Sequence, residues 1–132
     1  MRKIGIKREL ISRDIDMMLD KHLLKDREEV LLQEAIASLS LPDKTVIESY
    51  KSLTHYYALI LLYYISIEEY ELAAKVKKII EFEFEDTIKK IEIREKFSEI
   101  KEEELYNDIL LIYKEMNNFI LDEQEGLIGN DQ

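Results

Sequence analysis

The chain has no cysteine, no tryptophan, one proline and three glycines in 132 residues. Without cysteine there is no disulfide framework, no thiol nucleophile and no thiolate zinc site. That fits a reducing compartment, and the expected location is cytoplasmic. Two of the glycines, Gly126 and Gly129, fall within residues 126–132. A β-sandwich or barrel needs turn residues throughout its length, so their scarcity points to a few long helices. The N-terminus, MRKIGIKRELISRD, is basic but has no apolar core of signal-peptide length, and no secretory leader is expected.

What is present is charge, and it is unevenly placed. The chain is 36% charged, with a formal net charge of −10. Residues 1–10 carry +3 (Arg2, Lys3, Lys7 and Arg8 against Glu9), whereas residues 99–132 carry −8, ten acids against Lys101 and Lys114. Such a surface repels phosphate backbones, so direct nucleic-acid binding is not expected. An acidic end such as Glu102, Glu103 and Glu104 is instead suited to a basic protein patch, or to imitating nucleic acid towards a protein that binds it. Solubility alone is the plainer reading of the same charge.

Against this background residues 52–67, SLTHYYALILLYYISI, hold no formal charge over sixteen positions. A membrane-spanning helix needs about 20 apolar residues. This run is shorter, includes Ser52, Thr54, His55 and Ser66, and is bounded by Lys51 and Glu68, so it reads as a core helix and no membrane contact is expected.

Helical periodicity organises the rest. Ile11, Ile15, Met18 and His22 share one face of a first helix from about Lys7 to Leu23. Asp26 with Glu29 has capping-box spacing and opens a second helix, whose apolar face is Leu31, Leu32, Ala35, Ile36 and Leu39. Pro42 suits the first turn of a third helix running to about Ile65, apolar on every side beyond Lys51 and so surrounded by the others. Ser66 with Glu69 is a second capping-box pair. A fourth helix carries Tyr70, Ala73, Ile80, Phe84, Ile88 and Ile91 on one stripe and reaches about Phe97, some 45 Å at 1.5 Å per residue. The segment IIEFEFE at 79–85 has the alternation of a strand, but its helical surroundings favour helix and leave Phe82 partly off the core face, free for an interface. Leu105, Ile109, Ile112, Met116 and Phe119 form the seam of a fifth helix from about Lys101 to Glu123. The expected fold class is all-α, a four- to five-helix bundle with a central apolar helix and one long helix. It forms a single domain over residues 1–125 with a flexible tail at 126–132.

Constellations for chemistry are missing. Neither His22 nor His55 has a glutamate three positions before it, as di-iron bundles require. No His-x-x-x-His pair, Gly-x-Ser-x-Gly elbow or glycine-rich phosphate loop occurs. Acidic pairs such as Asp16 with Asp20 and Glu81 with Glu85 have a spacing that can hold a hard cation, but with 29 acids they arise by chance. An enzyme is not expected, nor a metal or cofactor. The histidines read as partly buried residues bonded to a neighbour.

Tyrosine is concentrated instead. Tyr50, Tyr56, Tyr57, Tyr63, Tyr64 and Tyr70 are six of the eight in the chain. Tyrosine packs its ring in a core while its hydroxyl seeks water, and it is favoured at binding hot spots. The candidate partner-binding residues are therefore Tyr56, Tyr57, Tyr63, Tyr64, Tyr70 and Phe82, with Glu102, Glu103 and Glu104. The pattern Tyr57-x-x-Ile60-Leu61-x-x-Tyr64, a turn at Ser66–Glu69, then Tyr70-x-x-Ala73 resembles one tetratricopeptide-type hairpin over about residues 54–82. Leu61 and Ile80 stand where that family has small residues, and no second copy lies 34 positions away. The resemblance implies protein or peptide binding on a concave helical face. The expected function is a small acidic interaction or regulatory protein acting by stoichiometric binding to a protein, a peptide or a second copy of itself. The alternatives are a nucleic-acid-mimicking inhibitor and a metal-dependent helical enzyme.

Overall fold

A computed structural model describes residues 8–23 and 26–129, with the side chains of 13–23 and 26–127. Among these residues the chain forms α1 (Arg8–His22), α2 (Arg27–Ala37), a 3-10 turn (Ser38–Ser40), α3 (Asp43–Ser66), α4 (Tyr70–Ser98) and α5 (Glu103–Gly129). The all-α bundle with one long helix is as expected, and the segment 79–85 is continuous helix. Here the strand-like alternation loses to the longer-range helical stripe: Val76, Ile79, Ile80, Glu83 and Asp86 all lie on the buried face of α4. α5 continues to Gly129, past the boundary drawn at residue 125, and residues 130–132 lie outside the described residues.

The helix ends follow the proline as expected and the capping boxes differently. Pro42 sits at the N-cap of α3 with φ −62°, and its carbonyl accepts from the Thr45 amide at 3.0 Å. Asp26 is the N-cap of α2, but its side chain makes no capping bond. Arg27 instead reaches back, donating from Nη1 to the His22 carbonyl at 2.9 Å, and so satisfies the end of α1. Ser66 closes α3 rather than opening α4, because its hydroxyl donates to the Tyr63 carbonyl at 2.6 Å. The α3–α4 turn is a Schellman motif. Glu68 takes φ 61°, its amide donates to the Ile65 carbonyl at 3.1 Å, and the Glu69 amide donates to the Tyr64 carbonyl at 2.9 Å.

α3 supplies much of the core: Tyr57, Ala58, Ile60, Leu61 and Tyr64 are buried with Ile15 of α1, Val76, Ile79 and Ile80 of α4, and Met116 and Ile120 of α5. It is not wrapped all round, however. Tyr56 and Leu59 are 42% and 44% exposed. The helix that packs along all four others is α4. A second, smaller core of Tyr50, Ile91, Leu105 and Ile109 lies towards the other end of the bundle. The expected seam of α5 is borne out at Leu105, Ile109 and Met116, which are buried. The apolar face of α2 is only half used: Leu31 and Ala35 are buried, while Leu32, Ile36 and Leu39 are at least a third exposed.

Candidate functional site

The clustered tyrosines do not form one surface. Tyr57 and Tyr64 are 7% and 0% exposed and belong to the core, so they are packing residues first. Tyr63 is partly buried against the same core, its ring 5.7 Å from that of Tyr64. Tyr56 is exposed and lines a shallow groove of about 230 Å³ between α1 and α3, with Met17, Met18 and Ile60. Tyr70, 60% exposed, lies at the start of α4 and lines a different groove. Helical geometry dictates this split, because neighbours in sequence such as Tyr56 and Tyr57 point about 100° apart.

The Tyr70 groove is the larger of the two, at about 440 Å³. It runs between the first half of α4 and the last half of α5. Ala73 and Ala74 leave room where longer side chains would close the gap, and Leu61, Ile65, Ile80 and Ile120 line its apolar interior. Lys77, Glu81, Asn117 and Gln124 add polar groups to the lining. Tyr70 and Leu121, both on its lining, are 60% and 57% exposed.

A buried polar cluster lies on the opposite side of α4. His22, the last residue of α1, has a fully buried side chain between two acids of α4. Its Nε2 is 3.4 Å from Glu83 Oε1 and its Nδ1 is 3.2 Å from Asp86 Oδ2. These are ion-pair distances, but neither ring nitrogen meets hydrogen-bond geometry, and neither does Glu83 Oε1. Arg27 of α2 pairs with the other oxygen of Asp86. Phe82 stacks on the imidazole at 4.8 Å, with the Arg27 guanidinium 5.5 Å from its ring centre. Phe82 is half-buried, as its place partly off the core face predicts, and one face of its ring covers His22. Burial pulls the imidazole below its ordinary pKa. Asp86 and Glu83 oppose that shift, Arg27 adds to it, and burial prevails.

A second buried charge ties the far end of the bundle. Arg94 of α4 donates to both oxygens of Glu102, to the Ser38 carbonyl at 2.7 Å and to Asp43 at 3.3 Å. Glu102 is therefore an internal ligand of Arg94 rather than part of an open acidic patch. Glu103 and Glu104 are exposed in the first turn of α5, where the helix dipole favours acids.

The readings of the acids and histidines also divide. Asp16 pairs with Lys75 at 3.1 Å instead of acting with Asp20. His55 is exposed, its ring 6.3 Å from that of Phe119. Sequence reasoning missed Arg27, Glu83, Asp86 and Arg94. The legible signal was Glu83-x-x-Asp86 on the same helical stripe as Val76, Ile79 and Ile80, since an acid on a core stripe needs a buried partner. No helix among the described residues is long and apolar enough to cross a membrane. No protein family, curated protein or solved structure matches the chain.

Proposed function

We propose that the protein is a small cytoplasmic interaction module that acts by stoichiometric binding, taking an amphipathic helix or apolar peptide into the groove between the first half of α4 and the last half of α5. The observation that carries this reading is the open apolar lining of that groove, with Tyr70 and Leu121 exposed beside Ala73 and Ala74. Helix-in-groove recognition needs this combination of an apolar trough and scattered polar groups that fix register. The tetratricopeptide-like pattern through Tyr70 and Ala73 supports a peptide-binding role for the same face. The net charge of −10 disfavours nucleic acid as the direct partner.

The test is capture from an extract of the native cell, at low and high salt, with the wild-type chain and with Ala74→Glu and Leu121→Glu. Both positions are exposed, so the variants should keep the wild-type melting temperature. The groove reading expects capture that survives high salt and is lost in both variants. Capture that the variants retain, or that vanishes with salt, would instead favour the acidic surface around Glu103 and Glu104. Light scattering on the same samples separates a foreign partner from a second copy of the chain.

A further inference from the structure

We propose that His22, Glu83 and Asp86 form a binding site for one divalent transition-metal ion, with Zn²⁺ the ion best suited to their mixed nitrogen and oxygen donors. One ligand atom from each residue lies within 4.8 Å of the others, and all three residues are buried. An ion held about 2.1 Å from each ligand in a tetrahedron spaces those ligands about 3.4 Å apart. An imidazole gives one ion only one of its nitrogens: Nε2 has that spacing to Glu83 Oε1 at 3.4 Å, Nδ1 has it to Asp86 Oδ2 at 3.2 Å, and whichever nitrogen ligates, the other acid lies within the 4.8 Å of the cluster. The two contacts fit hydrogen bonds poorly: both ring nitrogens and Glu83 Oε1 are buried without a hydrogen-bond partner. Buried polar atoms are rarely left so, and a ring nitrogen and a carboxylate oxygen left facing each other point to a cation between them.

The surroundings are consistent with an ion. Glu83 and Asp86 bring two negative charges against the single positive charge of Arg27. Arg27 engages Asp86 through Oδ1 and leaves Oδ2 turned towards the imidazole, an outer contact of the kind that orients a ligating carboxylate. Phe82 holds the ring from its face. Three protein ligands leave one tetrahedral position for water, and a cavity of about 30 Å³ beside His22, Arg27 and Asp86 is of one-water size. An ion there would fasten the end of α1 to the middle of α4.

The test uses the full chain, stripped with EDTA and titrated with ZnCl₂ alone. Calorimetry should show one saturable equivalent. The melting temperature should rise by several degrees at about one hundred times Kd, because the unfolded chain lacks the assembled site. MgCl₂ should give neither effect, since Mg²⁺ prefers an all-oxygen octahedral shell. His22→Gln and Glu83→Gln should abolish binding, and His55→Gln, at the only other histidine, should retain it. If the first two variants do not fold, CoCl₂ on the wild-type chain decides: a visible absorption band displaced by one equivalent of Zn²⁺ supports the site. Absence of saturable binding and of that band overturns the proposal. Loss of binding in His55→Gln, or its retention in a folded His22→Gln or Glu83→Gln variant, places the ion on the surface and also overturns it.

Discussion

Arg94 and Glu102 face each other across the α4–α5 turn as a two-pronged ion pair, Nε 3.0 Å from Oε2 and Nη2 3.0 Å from Oε1. The Arg94 side chain is 5% exposed and that of Glu102 is 13% exposed. Its bonds to Ser38 and Asp43 mean that one guanidinium joins the 3-10 turn and the beginnings of α3 and α5. A planar fork with five donors can do this, and an ammonium cannot match the geometry.

Removing one side of this pair should therefore cost far more than a surface ion pair does. Arg94→Met leaves Glu102 without its charged partner and should destabilise the fold by about 3–5 kcal/mol. Arg94→Lys should recover only part of the loss. The double variant Arg94→Met with Glu102→Leu should be more stable than Arg94→Met alone, since no buried charge is then unpaired. Urea denaturation with an unchanged m-value checks all three. A cost below about 1 kcal/mol for Arg94→Met would place the pair in the class of exposed ones.

Alkaline pH should unfold the protein through its core tyrosines. Burial raises the Tyr50 and Tyr57 phenols from 10.0 to about 12. Ionisation is then easier in the unfolded chain than in the folded one. The contribution is fully present below pH 10 and is lost as pH rises from 10 towards 12, by up to about 3 kcal/mol for each tyrosine. Far-UV circular dichroism across this window should show helix loss, and Tyr50→Phe should shift the transition upward relative to a wild-type protein of matched neutral-pH stability. A urea-measured stability that does not fall between pH 10 and pH 12 would contradict the burial of both rings.

The turn between α4 and α5 should accept improvement. Glu99 closes α4 with φ 59°, the left-handed conformation that costs a residue with a Cβ about 1 kcal/mol or more, and it places a negative charge at the helix C-terminus. Glu99→Gly removes both penalties at the expense of some chain entropy. It should stabilise the protein by about 0.5–1 kcal/mol, read as a melting-temperature rise of a few degrees. A lower melting temperature would mean that the Glu99 side chain has a structural role.

Local chemistry in the sequence determined that the chain forms helices, where Pro42 breaks them, and which residues on each could be inward. The break at Pro42, the uncharged run at 52–67 and the seam of Leu105, Ile109 and Met116 were all legible, because helical periodicity and proline geometry act within a few residues. Tertiary structure decided which side of each helix is covered. It buried Tyr57 and left Tyr56 open, and it left a groove beside Ala73 and Ala74 between α4 and α5. It also decided which charges are internal. α4 looks like a surface helix by composition, yet it packs against every other helix, through Val76, Ile79, Ile80 and Ile91 in the cores and with Glu83, Asp86 and Arg94 paired internally. Arg27 and Asp86 are 59 positions apart in the chain. Pairing over such a distance depends on how helices dock, and no periodicity within a single helix encodes it.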